Sequence, residues 1–142
     1  MSAGDAAFAH DCVGALLVRD GRILLGRRAD DRAWLPGAWD VFGGHLEPGE
    51  GAAAALHREL VEELGVVPLQ VRELGVLEDA ASGSWRLRLY AVDAWRGEVR
   101  NLQPDEHVEL RWCTPAEATG RLAAAHTEFA RVIAAALVAS GA

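Results

Sequence analysis

Lysine is absent from the 142 residues, so arginine supplies all 14 basic side chains, against 21 aspartates and glutamates. The formal charge of -7 argues against a chain that coats nucleic acid, whose affinity would come from basic groups neutralising phosphates. With abundant alanine, glycine and arginine, the missing lysine fits GC-rich coding and says little about function. Cysteine is nearly absent too: Cys12 and Cys113 both lie in apolar, strand-like segments, so they read as buried thiols rather than a disulfide. That usage is expected of a reducing, cytoplasmic setting. Long apolar runs are missing. The longest candidate, Val132 to Ala139, falls well short of the roughly 20 residues a membrane helix needs. The start, MSAGDAAFAHD, has no basic segment followed by an apolar one and so does not read as a signal peptide. No internal repeat is visible. The length suits one domain over residues 1–142, with residues 1–9 patternless and expected to fray.

What is present is concentrated between Gly43 and Val66, GGHLEPGEGAAAALHRELVEELGV. From about Gly51 to Leu64, a period near 3.6 residues puts Ala53, Leu56, Leu60 and Leu64 on one apolar stripe, expected to be buried. Glu59, Glu62 and Glu63, at i, i+3 and i+4, share a neighbouring arc roughly 100° wide. Like charges at that spacing repel, and the C-terminal turn of a helix already carries partial negative charge. A cation among them would relieve both, and oxygen ligands select hard ions such as Mg²⁺. A solvated acidic face is the plain alternative from spacing alone. Gly43-Gly44 and Pro48-Gly49 bracket a tight turn before the helix, and Gly65 reads as its C′ residue.

Gly44, Glu50, Arg58, Glu59, Leu60, Glu62, Glu63, Gly65 and Val66 match the pattern G-x5-E-x7-R-E-U-x-E-E-x-G-U, where U is a bulky aliphatic, at every fixed position. The chain therefore resembles the Nudix hydrolase family, MutT-like nucleotide pyrophosphohydrolases included. The resemblance implies an α/β/α sandwich, with a mixed β-sheet between helices and the motif as loop, helix and loop. It implies one to three Mg²⁺ ions, with Mn²⁺ as a substitute, on Glu59, Glu62 and Glu63 with Gly43 beside them. Arg58 then pairs with the motif glutamates, while Gly44, Glu50 and Gly65 are structural. One departure is visible. Phe42 stands where the family usually has proline, which removes a fixed φ at the entry to the motif.

Elsewhere the pattern is mostly strand. Cys12–Val18 and residues 23–28 read as strands joined at Asp20-Gly21, a strong hairpin signal. Arg27 and Arg28 then point to opposite faces, so at most one can meet a substrate phosphate; Arg27 is the candidate carried forward. In the loop of residues 29–40, Trp34 can stack a base, whereas Trp39 is expected to pack the loop onto the core. Val71–Glu78 and Trp85–Trp95 read as an antiparallel pair. Trp85, Leu87, Leu89 and Ala91 alternate there with Arg86, Arg88, Tyr90 and Val92, a half-buried pattern whose outer face is expected to be solvated. Arg88 is a substrate-binding candidate on it. In QPDEHVELRWC, residues 103–113, Val108, Leu110 and Trp112 alternate as strand positions, leaving Glu106 in the preceding loop. By the family resemblance Glu106 is a further metal ligand or the general base, with Glu109 as runner-up and His107 as a hydrogen-bonding loop residue. Thr114-Pro115-Ala116-Glu117 is a capping box that starts a short helix to about Thr119. From about Thr127, Phe129, Val132, Ile133, Ala136 and Leu137 recur at helical spacing.

The reaction implied by the resemblance is Mg²⁺-dependent hydrolysis of a diphosphate bond in a nucleoside diphosphate linked to another group. A nucleoside or deoxynucleoside triphosphate leads, with dinucleoside polyphosphates, nucleotide sugars and ADP-ribose as alternatives. Glu59 or Glu106 serves as base. A nucleotide-sensing module without turnover is the alternative of another class, disfavoured because every motif glutamate is present. The partner expected is a small nucleotide, with no membrane, and the chain acts as monomer or homodimer.

Overall fold

The structure is a computed structural model that describes residues 8–79 and 84–140, with side chains to residue 138. The expected fray over residues 1–9 and the connection through Ala80 to Gly83 fall largely or wholly outside these residues. The first strand, β1 (His10–Arg19), is the central one. It runs on both sides of the expected Cys12–Val18 segment because Val13 to Val18 are all buried, so the strand is covered on both faces. Its end forms the hairpin with β2 (Arg22–Arg28) through Val18 and Ile23. Its first half pairs antiparallel with β4 (Phe42–His45). On its other edge it pairs parallel with β6 (Trp85–Arg96), over His10 to Leu17. β5 (Val67–Asp79) closes that side, antiparallel to β6, and β7 (His107–Cys113) and the two-residue β3 (Trp39–Asp40) flank β2. The sheet is mixed, as expected.

Three helices cover it. On one face lies α1 (Ala52–Leu64), whose Ala55, Leu56, Leu60 and Leu64 pack with Val13, Ala15, Leu17, Phe42 and Val92. On the other, α2 (Pro115–Leu122) and α3 (Phe129–Ser140) bury Ala118, Leu122, Phe129, Val132, Ile133 and Ala136 against Leu16, Val18, Leu89 and Ala91. The two cores on opposite faces of one sheet make an α/β/α sandwich. α1 ends at Gly65, whose φ of 71° is the left-handed cap that glycine adopts without strain. α2 opens on the capping box of Thr114 and Glu117 and runs one turn past the expected Thr119, because Leu122 completes its buried stripe.

Some elements differ from the sequence reading. Ala53 is exposed and Ala55 is buried in its place. β5 begins at Val67 rather than Val71; Pro68 is tolerated because β5 is an edge strand, where a missing N–H costs no ladder bond. The Arg86/Arg88/Tyr90 face of β6 is not the solvated one expected. Tyr90 packs under the α1 core, and Arg86 and Arg88 are part-buried against Asp11. Phe42 is wholly buried in β4, opposite Ala15, which proline's missing N–H would disfavour. Both cysteines are free, and no helix among the described residues is long and apolar enough to cross a membrane.

Candidate active site

A cleft of about 460 Å³ opens beside the motif, lined by β2, β4, α1 and the loops before β3 and β7. Glu63 lies at its base. It falls beside Leu56 on the sheet-facing side of α1, so the helix that buries its leucines buries this carboxylate as well, to 5% exposure. Its Oε2 atom is enclosed, with no hydrogen-bond partner among the described residues. Burial, then the neighbouring charges of Glu59 and Glu106, push the Glu63 carboxyl up to about 9; the Gly43 backbone N–H opposes the shift only in part. Leaving such a group unsatisfied costs about 1–3 kcal/mol, more if it is charged. The imidazole of His107, itself buried, comes within 4.0 Å of Glu63 Oε1. Burial holds His107 below the usual histidine range, so its ring is neutral and keeps a lone pair to give.

Glu63, Glu106 and His107 each present one ligand atom, all within 4.8 Å of one another. Two carboxylates and a neutral imidazole suit a divalent ion of the Mg²⁺ or Mn²⁺ kind, the nitrogen being the better ligand for Mn²⁺. The orphaned Glu63 oxygen and the excess negative charge around it are what such an ion would satisfy. The donor set fits a metal.

Glu59 stands one turn before Glu63 on α1. Burial raises its carboxyl above the ordinary value, against the Arg58 guanidinium that lowers it. Arg58 is the hub of the motif: Nε and Nη2 donate to the two oxygens of Glu50 at 2.8 and 2.9 Å, Nη1 donates to Glu59 at 2.9 Å, and Nη2 also reaches the His45 carbonyl at 3.2 Å. The bidentate bond holds Glu50 down to about 2. Close packing accounts for the two glycines. Gly43, at φ 153°, passes so near β1 that a Cβ would lie 1.9 Å from the Val13 carbonyl oxygen, and a Cβ on Gly44 would lie 2.6 Å from Glu59 Oε1.

The other sequence candidates separate. Glu62 is half-exposed at the rim, 3.4 Å from Arg58, and is not among the cleft-lining residues. Arg27 points away from the cleft to Glu109, at 3.6 Å, and Arg28 lines it instead; a bulge in the pairing with β7 at Arg27/Arg28 sets which of the two faces in. Glu109 is thus held outside, between Arg27 and Arg111. Arg88 donates to Asp11 at 2.7 Å and does not line the cleft. Trp34 is half-exposed, with its ring 5.3 Å from the Arg28 guanidinium and its carbonyl accepting from Arg28 Nε at 2.7 Å. Trp39 packs at the core edge, with Arg121 over its ring at 4.7 Å.

Sequence reasoning passed over three groups. His107 was set aside as a loop residue, yet it is buried beside Glu63. Asp40 lines the cleft, and burial pushes it up to about 6 despite Arg28 3.5 Å away. Arg32 sits 3.2 Å from Glu106. Neither has a periodic signal: Arg32 lies in the loop after β2, and Asp40 in the two-residue β3, which is too short to alternate.

A sequence model of the NUDIX domain matches residues 9–137. The chain is 38% identical over 112 residues to the CTP pyrophosphohydrolase of Escherichia coli (strain K12), a match covering 76% of this chain and 78% of that protein. A shorter stretch, 52% identical over 50 residues, matches the nucleoside triphosphatase NudI of the same strain and covers 35% of this chain and 36% of that one. The solved MutT NUDIX hydrolase from Burkholderia pseudomallei superposes with a TM-score of 0.70 at 37% identity, over 76% of this chain and 84% of that chain.

Proposed function

The chain belongs to the NUDIX family, and from that premise we propose that it is a Mg²⁺-dependent pyrophosphohydrolase of nucleoside or deoxynucleoside triphosphates, with Mn²⁺ as a substitute. The observation that carries the reading is Glu63, a buried carboxylate without a counter-ion, facing Glu106 and His107 at ligand spacing. The similarity to a CTP pyrophosphohydrolase and to a nucleoside triphosphatase supports the triphosphate as substrate class. The same reading takes the protein as cytoplasmic and as monomer or homodimer.

Glu63, Glu106 and His107 would hold the cation, with Gly43 beside them and Glu62 at the rim for a further ion. When bound, the metal neutralises phosphate oxygens and makes a water easier to deprotonate. Glu59 would accept a proton from water: it is one turn from Glu63 but outside the three-residue ligand group, and burial raises its carboxyl above the ordinary value. Arg58 holds one oxygen of Glu59 and leaves the other to act. Glu50, fixed by two bonds to Arg58, orients that guanidinium. Arg28 presents positive charge to the polyphosphate, and the half-exposed Trp34 presents an indole face to a base.

The test is phosphate and pyrophosphate release from nucleoside triphosphates, dinucleoside polyphosphates, nucleotide sugars and ADP-ribose, with Mg²⁺, Mn²⁺ or EDTA. Triphosphate turnover that stops in EDTA and falls by about 10²–10⁴-fold in Glu59→Gln is expected. Turnover confined to another group of the panel would replace the substrate class, and nucleotide binding without turnover would make the protein a sensing module.

A further inference from the structure

Among the described residues, Arg32 is the one cationic side chain of the cleft whose partner is also a metal-ligand candidate outside the motif. Its Nη1 lies 3.2 Å from Glu106 Oε1, and both side chains are part-exposed. The backbone ties the same two segments together, since the Ala29 N–H donates to the Glu106 carbonyl at 3.0 Å. Arg28 and Arg58 are differently placed. Arg28 is committed to the buried Asp40 and to the Trp34 carbonyl, and Arg58 to Glu50 and Glu59.

Glu106 is therefore claimed twice. Its carboxylate belongs to the group that can hold a divalent ion with Glu63 and His107, whose ligand atoms all lie within 4.8 Å of one another. An ion held by that carboxylate repels the guanidinium paired with it. Arg32 has somewhere to go, because it lines the cleft where a polyphosphate would lie.

Resting on the metal-dependent reading above, we propose that Arg32 is a displaceable counter-ion of Glu106: it occupies the carboxylate in the metal-free enzyme, yields it to the divalent ion, and then binds the substrate's phosphates. Arg32 is a positioning residue for Glu106 and a phosphate contact once released.

The test is Mn²⁺ affinity of the free protein, read by electron paramagnetic resonance, for wild type, Arg32→Ala, Arg32→Lys and Glu63→Gln. Removing a part-exposed ion pair frees Glu106, so Arg32→Ala should bind Mn²⁺ about two- to five-fold more tightly than wild type. Arg32→Lys, which keeps the charge but loses the planar fork, should fall between them. Turnover should show the opposite sense for substrate, with KM of Arg32→Ala raised several-fold and kcat less affected. Unchanged or weaker Mn²⁺ binding in a folded Arg32→Ala overturns the counter-ion role while leaving the metal site intact. Absence of Mn²⁺ binding in wild type, equal to Glu63→Gln, would instead remove the metal-dependent reading itself.

Discussion

At the scale of single residues, Glu63 explains most of the site's electrostatics. Its carboxyl is raised to about 9 by burial and by two neighbouring carboxylates, whereas an unfolded chain holds it near the ordinary glutamate value. The metal-free fold therefore favours the protonated form. Its contribution to stability is present at pH below about 4.3 and is lost as pH rises toward 9. Glu63→Gln removes that liability. In EDTA at pH 8 the variant should be more stable than wild type by about 1–3 kcal/mol in urea unfolding, and the difference should vanish near pH 4. The same substitution should abolish metal-dependent turnover. A residue that raises stability when neutralised and stops function when neutralised is one kept for binding, not for folding.

At the scale of elements, the β1–β4 pair and α1 set the geometry, and two glycines separate the effects. Gly43→Ala drives a Cβ into the Val13 carbonyl oxygen at a φ that alanine rarely adopts. It should destabilise the protein by about 3 kcal/mol or more, read as a lowered urea midpoint. Gly44→Ala meets only the Glu59 carboxylate at 2.6 Å, so it should fold with little loss while displacing the base and lowering kcat by about 10²-fold. The elements were legible in the sequence to the extent that their signals are periodic or local. The α1 stripe, the Asp20-Gly21 hairpin, the Thr114 capping box and the loop position of Glu106 are all of that kind. β4 was missed because Gly43 and Gly44 read as turn residues; they form a strand because only glycine lets it pass so close to β1 and to Glu59. The inward turn of Arg28 was missed because a bulge opposite β7 breaks the alternation that would assign it. His107 was set aside because nothing local tells a loop histidine from one whose ring meets a helix more than 40 positions away in sequence.

At the scale of the molecule, an acidic chain builds a site for an acidic substrate, and the missing charge has to come from outside. The cleft's arginines are largely spoken for by Asp40, Glu50, Glu59 and Glu106. Divalent ions should therefore stabilise the whole fold. Because binding to the native state alone stabilises by mass action, Mg²⁺ or Mn²⁺ at about 100 times its Kd should add roughly 2.7 kcal/mol, seen as a raised Tm that EDTA reverses. At one fixed ion concentration the gain should be larger at pH 8 than at pH 6, since the ion competes with the proton on Glu63. Monovalent salt at equal ionic strength should not reproduce it.

The decisive measurement is anomalous diffraction from a crystal soaked in Mn²⁺. The expected result is a peak at about 2.1 Å from a Glu63 oxygen, with Glu106 and His107 completing its protein ligands and Arg32 withdrawn from Glu106. Mn²⁺ found only on the exposed Glu62, with Glu63 still protonated and unliganded, would contradict the assignment of the buried carboxylate as the metal's anchor.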